Sequence, residues 1–306
     1  MADDWPILDP ATDSETFAVL HLASQMLGKI RLKHSTWQNH GWHLTLRPNA
    51  NGLAILPTAA GNGRSFTLAL DLCAHGIAMA VSDGNRELLP FARRSIAELH
   101  HDLIALLDRH GLPSDFYGVP NEIADAVPFA EDDRPRLYDS DSATRLLGVL
   151  NRIVPIFERF RAGFQGKASP VHFFWGSFDL AVTRFSGRRA PDHPGGVPGL
   201  PDRITREAYS HEVSSAGFWP GGVVAADPIF YTYAYPEPPG FRDLDGELEG
   251  AIFDATLGEY ILPYEHVRQS SAPERALMMF LRSTYNRAAN LAHWDRAALE
   301  RDPVAP

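Results

Sequence analysis

The order of local patterns repeats once along the chain, and this repetition most constrains the fold. In the first half, a helical pattern over residues 14 to about 32, capped by Asp13 or Ser14, precedes several short apolar runs and a second helical pattern. Asn51-Gly52 and Gly61-Asn62-Gly63 interrupt the runs HLTL, LAIL, FTLALDL and IAMAV, and Asp83-Gly84 follows the last of them. Asn-Gly and Asp-Gly favour the positive φ of tight hairpins, so the runs predict antiparallel strands.

The second half follows the same order. A helix capped near Asp139, with a kink at Pro155, precedes apolar strands, and the run YILPY mirrors the earlier run ELLPF. Each of these runs is followed by a capping-box pattern: Ser95 with Glu98, and Ser271 with Glu274.

We therefore predict an α+β fold of two diverged helix–antiparallel meander–helix units that form a pseudo-duplicated architecture. The first unit spans residues 1–120, a connecting segment spans 121–138, and the second unit spans 139–306.

Composition excludes several classes of protein. The chain has 306 residues, a formal charge of -10, 44% hydrophobic and 22% charged residues, which is typical of a globular protein. An acidic chain argues against nucleic acid or anionic membrane as a partner. The N-terminal sequence lacks the pattern of a signal peptide, and no apolar run approaches the roughly 18 residues of a membrane span. We expect a cytoplasmic protein whose one cysteine, Cys73, is a buried thiol; the oligomeric state stays open.

The functional signal is concentrated in two stretches of the second half. SPVHFFWGSFDLAVTRFSG at 169–187 and SHEVSSAGFWPGG at 210–222 place ionisable residues among large apolar ones. A loop rich in Pro and Gly, 188–209, joins them, and long loops inside compact domains are often functional. This arrangement predicts a small-molecule pocket with aromatic walls.

Histidines in these stretches suggest a metal centre. We predict that His172, His193 and His211 converge on one cavity beside Glu212, where they could bind a divalent transition metal. The motif H-E-x-x-H is absent, since Val213 follows Glu212. The alternative is that each histidine is hydrogen-bonded separately in the core or in a loop.

The remaining candidate residues are assigned by their chemistry. The candidate catalytic residues are His172, His211, Glu212 and Asp179. Substrate contacts are assigned to Trp175, Ser177, Arg184, Ser214 and Trp219. Serine nucleophile catalysis is disfavoured because G-x-S-x-G is absent, and a standard nucleotide loop is disfavoured because neither G-x-x-x-x-G-K-S/T nor G-x-G-x-x-G occurs.

Several blocks of the sequence resemble a known family. SPVHFFWGSFDLAVTRFSGR, HPGGVP, REAYSHEVSSAGFWPGG and YAYPEP, with WQNHGWHLTL and GKIRL earlier, are similar to a bacterial family known only as a domain of unknown function. The resemblance covers nearly the whole chain. It implies no activity and no catalytic residue.

These observations lead to a functional hypothesis. We expect an enzyme that acts on a small molecule in a histidine- and aromatic-lined pocket of the C-terminal half, with a transition metal as its candidate cofactor. The alternative is a non-catalytic small-molecule-binding or regulatory protein that uses the same pocket. A structural or interaction protein would instead expose an apolar patch for a defined partner.

Overall fold

The fold is α+β, as predicted. The computed structural model describes residues 5–197, 199–222, 225–243 and 248–301. Its helices are α1 (Pro10–Lys33), α2 (Ile96–Arg109), α3 (Ser140–Ala162), α4 (Asp202–Ala208), α5 (Tyr264–Gln269), α6 (Pro273–Leu291) and α7 (Arg296–Leu299). Its strands are β1 (Arg47–Asn49), β2 (Gly52–Ala54), β3 (Thr58–Gly61), β4 (Arg64–Asp71), β5 (Gly76–Val81), β6 (Arg86–Pro90), β7 (His172–Phe174), β8 (Asp179–Arg189), β9 (His211–Trp219), β10 (Ile229–Tyr235), β11 (Ile252–Asp254) and β12 (Glu259–Pro263).

The first sheet is antiparallel and has one buried face. Its strand order is β1-β2-β4-β5-β6, and β3 pairs with β4 beside β2. Along β4 the buried residues Phe66, Leu68 and Leu70 alternate with the half-exposed Thr67 and Ala69. This alternation is what a sheet with one face on the core and one toward solvent requires.

The second sheet is antiparallel and is buried on both faces near its centre. Its order is β11-β12-β10-β9-β8-β7, and consecutive residues of β8 and β9 are buried. Helices α3 and α6 pack on one face. The opposite face carries Asp179, Gly217 and Tyr231 from three neighbouring strands, and it forms the floor of the candidate site.

One hydrophobic core runs through both halves of the chain. Helix α1 is central to it, since it packs on α2, α3 and β4 and is buried from Phe17 to Arg31 except at Ala18. A two-hydrogen-bond bridge between Leu46 and Phe173 also joins the halves, with both N···O distances at 2.9 Å. The units predicted from the repeat therefore share their core.

Some predictions of local structure are confirmed and others are wrong. The capping box of Ser95 with Glu98 is confirmed at the start of α2. The box at Ser271 is wrong, because α6 begins at Pro273 after Ala272 and shows no side-chain cap within the described residues. Helix α1 begins earlier than predicted, since Asp9 caps it ahead of Pro10. Cys73 is exposed rather than buried because it lies in the β4–β5 turn.

Both halves contain a helix, an antiparallel sheet and a further helix in that order. The two sheets differ in connectivity, since β3 breaks the simple order of the first and β11 and β12 exchange places at the edge of the second. Duplication therefore stays a prediction. No helix in the described parts of the chain has both the length and the apolar character needed to cross a membrane.

A test of this packing uses Gly28, which lies on α1 against the indole of Trp175. A Cβ built at Gly28 would lie 2.2 Å from Cδ1 and Nε1 of that ring. Helix propensity alone predicts that Gly28→Ala stabilises the protein by about 1 kcal/mol. The steric conflict reverses the sign, so we expect a loss of about 1–3 kcal/mol in the free energy of unfolding, measured by urea denaturation.

The double variant Gly28→Ala/Trp175→Ala is the matched control. With the indole removed, the added methyl group has room, so it should stabilise the protein relative to Trp175→Ala alone. Equal effects of Gly28→Ala in both backgrounds would contradict the contact.

Candidate functional site

The structure places His172 and His211 at opposite ends of the second sheet. His172 pairs with Ala181 of β8, whereas His211 pairs with Arg189, eight residues farther along the same strand. At about 3.3 Å per residue this separation is roughly 25 Å. The structure therefore does not bring the two imidazoles together.

Each predicted histidine has its own partners. The Nδ1–H of the fully buried His172 donates to Thr45 Oγ1 at 3.1 Å, and burial followed by the charge of Arg47 lowers the His172 pKa to about 3. His193 Nδ1 accepts a hydrogen bond from Gly195 N, and its ring stacks on Tyr209 with centroids 4.8 Å apart.

The metal ligands predicted from sequence also separate. Glu212 is paired with Arg188, with 2.7 Å between Oε2 and Nη2, and it does not face His172. Within the described residues, no group of three or more His, Cys, Asp or Glu side chains is arranged to hold a metal ion.

Four of the other predicted residues do lie together. The Ser177 hydroxyl donates to Asp179 Oδ1, and Trp219 Nε1 donates to the Ser177 carbonyl at 3.2 Å. Trp175 lies in the adjoining β7–β8 turn, where its Nε1 donates to Leu44 O at 2.9 Å.

Arg184 and Ser214 point away from this group. They pair across β8 and β9 on the face that carries α3 and α6. The Arg184 guanidinium lies 3.6 Å from the centre of the Phe160 ring and donates to the Phe160 carbonyl. These two residues therefore belong to the helix-covered side of the sheet.

A polar stripe on α1 organises the opposite side of the site. His21, Gln25 and Lys29 are spaced four residues apart, so they share one face of the helix, and all three are buried. His21 Nε2–H donates to the Gly176 carbonyl at 2.8 Å, and burial lowers the His21 pKa to about 4, which leaves the ring neutral.

The stripe anchors the segment 117–122. The Gln25 amide exchanges two hydrogen bonds with the backbone of Asn121, donating to its carbonyl at 2.8 Å and accepting from its N–H at 2.7 Å. Lys29 Nζ donates to the amide oxygen of Asn121. Glu122 follows with φ of 58°, a left-handed conformation that residues other than glycine rarely adopt. The anchored backbone therefore fixes the position of this carboxylate.

The Pro/Gly loop predicted as functional closes over the same segment. Asn121 Nδ2 donates to Gly199 O at 3.0 Å, and a Cβ at Gly199 would lie 2.6 Å from the nitrogen of Glu122. Only glycine permits this approach, because Gly199 also has φ of 71°. Pro198, the preceding residue of the loop, lies outside the described residues.

The floor of the site is centred on Asp179. Its Oδ2 accepts a hydrogen bond from the hydroxyl of Tyr231 on β10. The Tyr231 side chain crosses β9 at Gly217, where a Cβ would lie 2.2 Å from its hydroxyl oxygen. Glycine at this position is therefore what allows Tyr231 to reach the carboxylate.

A second carboxylate lies on the same face farther along the sheet. Glu259 lies two residues before Ile261, which pairs with Tyr231. Its Oε2 is buried and has no hydrogen-bond partner among the described residues. Beside it, the Tyr209 hydroxyl donates to the Tyr233 hydroxyl at 3.0 Å.

We call this group the carboxylate recess. It comprises Lys29, Glu122, Asp179, Glu259, Tyr209, Tyr231 and Tyr233. Four of its members, Glu122, Glu259, Tyr209 and Tyr233, are partly accessible to water. Burial is nevertheless the first cause of every one of their pKa shifts. Each of these four groups is therefore largely enclosed by protein and still in contact with solvent.

The acidic groups of the recess all have raised pKa values. Burial raises the pKa of Asp179 to about 6, against the hydrogen bonds from Ser177 and Tyr231. Burial and then the charge of Asp179 raise the pKa of Glu122 to about 7 and that of Glu259 to about 8. Because Asp179 acts on both glutamates, the three carboxyl groups form one electrostatic unit.

Lys29 is shifted in the complementary direction. Burial lowers the pKa of its ammonium group to about 8, and the charge of Glu122 opposes that effect. The recess thus holds carboxylic acids and an amine that all change protonation near neutral pH. Such groups can donate and accept protons during a reaction.

The pH dependence of stability tests the electrostatics of Glu259. The folded protein keeps this carboxyl protonated up to about pH 8, whereas its ordinary pKa is 4.5. The folded state therefore binds more protons in this window, so rising pH lowers the free energy of unfolding. Glu259→Gln stays neutral, and wild type should lose stability relative to it from pH 5 to 8, by at most about 1.4 kcal/mol per unit. Urea denaturation at several pH values measures the difference.

The exposed Glu274→Gln on α6 is the control for this experiment. Contributions from groups outside the recess cancel when each variant is compared with wild type at the same pH. A Glu259→Gln difference that does not change between pH 5 and 8 would show that the carboxyl is not held protonated.

Comparison with known proteins adds family membership. Searches of curated proteins and of solved structures found no match. The model of a family described as "Family of unknown function (DUF5996)" matches residues 5–301, which includes every residue of the carboxylate recess. The resemblance seen in the sequence is confirmed: the chain belongs to the DUF5996 family of unknown function.

Proposed function

We propose that this chain is an enzyme that transfers protons to and from a small molecule bound in the carboxylate recess. One observation carries the proposal: Asp179, Glu122 and Glu259 share a recess and have pKa values of about 6, 7 and 8. General acid–base catalysis is most effective when the pKa of the catalytic group lies near the working pH. Ordinary carboxyl groups on a protein surface do not meet that condition.

A purely structural role accounts less well for these groups. Asp13 is a buried carboxylate whose hydrogen-bond partners compensate for its burial. Burial would raise the Asp13 pKa, but hydrogen bonds from Arg145 and Ser142 hold it below its ordinary value. In the recess, the electrostatic neighbours of Glu259 are the acidic Asp179 and Asp254. Stability is therefore reduced at this position, as is common at functional sites.

The geometry supports different roles for the three carboxyl groups. Two hydroxyl donors hold the Asp179 carboxylate in place. Its role is electrostatic, since its charge raises the pKa values of Glu122 and Glu259. Glu122 is partly accessible and its charge interacts with that of Lys29, which suits a proton-transferring group. Glu259 suits a direct contact with substrate, because its Oε2 has no hydrogen-bond partner among the described residues. The rings of Tyr209 and Tyr233 suit contacts with the apolar part of the substrate.

This proposal replaces the histidine–metal centre predicted from sequence with a carboxylate and lysine site. His172 and His211 are too far apart to act on one substrate atom. It keeps the predicted pocket among the aromatic strands, with Asp179, Ser177, Trp175 and Trp219 at or beside it. The alternative is a non-catalytic binding protein that uses the same recess. A turnover measurement distinguishes the two, because a binding protein releases its ligand unchanged.

Turnover can be tested without a known substrate. Purified protein is incubated with a metabolite extract, and mass spectrometry follows which compounds are consumed and formed. We expect wild type to convert at least one compound. Glu122→Gln should slow this conversion about 100-fold or more, which is the usual contribution of a general acid–base group. Asp179→Asn should slow it as well, because the glutamate pKa values would fall.

Glu274→Gln on the exposed face of α6 should convert the same compound at the wild-type rate. A compound that is bound and released unchanged by wild type would favour the binding protein. Conversion at an unchanged rate by Glu122→Gln would contradict the role given to this residue.

A further inference from the structure

Lys29 is an unusual choice of residue for this chain. The sequence contains 25 arginines and three lysines, which are Lys29, Lys33 and Lys167. Where the fold buries other cations it uses arginine, as at Arg31 and Arg184, which are 8% and 4% exposed. Lys29 is 2% exposed. Arginine stays protonated at physiological pH, whereas lysine can lose its proton. This position therefore fits a need for an amine rather than for a permanent charge.

Burial lowers the pKa of the Lys29 amine, and the groups around Nζ are ones that stabilise a cation formed there. The rings of Tyr117 and Trp175 lie 5.1 and 5.5 Å from Nζ, and Nζ donates to the amide oxygen of Asn121. Among the three lysines, Lys33 is paired with Asp115 at the surface, and Lys167 contacts the ring of His40. Burial of a lysine in apolar surroundings lowers the pKa of its amine, which is one way in which an amine becomes available as a nucleophile.

We infer that Lys29 forms a Schiff base with an aldehyde or ketone substrate, and that Glu122 is the acid for this step. The inference rests on the proposed function and names the substrate class of the same recess. The geometric basis is that both groups lie at the segment 175–176: Nζ is 5.5 Å from the centre of the Trp175 ring, and a Cβ built at Gly176 would lie 1.9 Å from Oε1 of Glu122.

The step balances with groups that the recess contains. The neutral amine of Lys29 adds to the carbonyl carbon, and one proton moves from nitrogen to oxygen, which gives a carbinolamine. Glu122 then protonates the hydroxyl group, the C–O bond breaks, and water leaves. The products are an iminium ion on Nζ, one water molecule and the Glu122 carboxylate. The charge of the Glu122 carboxylate acts on this position, so it stabilises the positive iminium.

The inference explains why an acidic recess surrounds a buried lysine. Three carboxyl groups that are close to one another repel when ionised, which is unfavourable in the free protein. Compared with the neutral amine that attacks the carbonyl, the iminium on Lys29 adds a positive charge that attracts the Glu122 carboxylate. The recess is then more complementary to the intermediate than to the free amine, which is what catalysis requires.

Reductive trapping tests the inference directly. The full-length protein is incubated near pH 7 with glycolaldehyde or dihydroxyacetone and sodium cyanoborohydride, which reduces an iminium to a stable secondary amine. Peptide mapping by mass spectrometry then assigns the label among the three lysines. We expect Lys29 to be labelled at least tenfold faster than Lys33. Glu122→Gln should slow labelling of Lys29 while leaving that of Lys33 unchanged.

Two variants separate chemistry from charge. Lys29→Arg keeps a cation that can donate to Asn121, and Lys33→Gln leaves the recess intact. We expect Lys33→Gln to retain both labelling of Lys29 and conversion of the metabolite, and Lys29→Arg to lose conversion while its circular dichroism spectrum matches wild type.

Two outcomes would overturn the inference while leaving the proposed enzyme in place. One is metabolite conversion by wild type with labelling of Lys33 but not of Lys29. The other is wild-type conversion by Lys29→Arg, since a charge alone would then suffice. If wild type neither converts a metabolite nor labels at Lys29, both the inference and the proposed function are wrong.

Discussion

The burial of α1 is the constraint on which the rest of the structure depends. A helix that is covered on nearly all sides has no solvent to satisfy its polar side chains, so each of them must find a partner within the fold. Gln25 does so by pairing with both backbone groups of Asn121. That pairing holds Glu122 in a left-handed conformation and brings it toward Asp179. The buried amide of Gln25 must be hydrogen-bonded within the core, and the bonds that satisfy it also position Glu122.

The recess lies where the two halves of the chain meet. Helix α1 comes from the first half, Glu122 from the segment between the halves, and Asp179 with Glu259 from the second sheet. The corresponding positions of the first sheet are occupied differently. Along the half-exposed face of β4 and β5 stand Thr67, Ala69, Ala78 and Ala80. The site draws on α1, on the segment between the halves and on the second sheet, so neither half by itself contains it.

Sequence reasoning succeeds where the determining interactions are local. The capping box of Ser95 spans three residues, and the turn dipeptides act on adjacent ones, so both can be read from the chain. At α6 the same spacing is misleading, because Pro273 fixes the first helical residue and Ser270 instead accepts from Ala272 N at 3.1 Å.

The site is harder to predict, since it depends on register and on contacts between distant segments. His172 and His211 both begin strands of one sheet, as predicted, yet the pairing with β8 puts them at opposite ends. No local pattern carries that information. Asp179, Ser177, Trp175 and Trp219 can be identified from sequence because they stand out within apolar runs. Glu122 is not identified from sequence because it lies in a segment that is predicted to be a connector. Glu259 is not identified because a single acidic residue before an apolar strand is common.

Two patterns in the sequence do indicate parts of the recess. Polar residues at 21, 25 and 29 follow one face of a helix that is otherwise apolar, and this spacing is typical of a buried functional stripe. Tyrosines at 231, 233 and 235 alternate along a strand, so they must share one face of the sheet. Each pattern identifies one wall of a site. Only the fold shows that the stripe on α1 holds the segment that carries Glu122, because Gln25 reaches Asn121 over 96 residues of chain. A tertiary contact therefore determines how the groups of the site are arranged. The residues themselves can be recognised in the sequence, but their arrangement cannot.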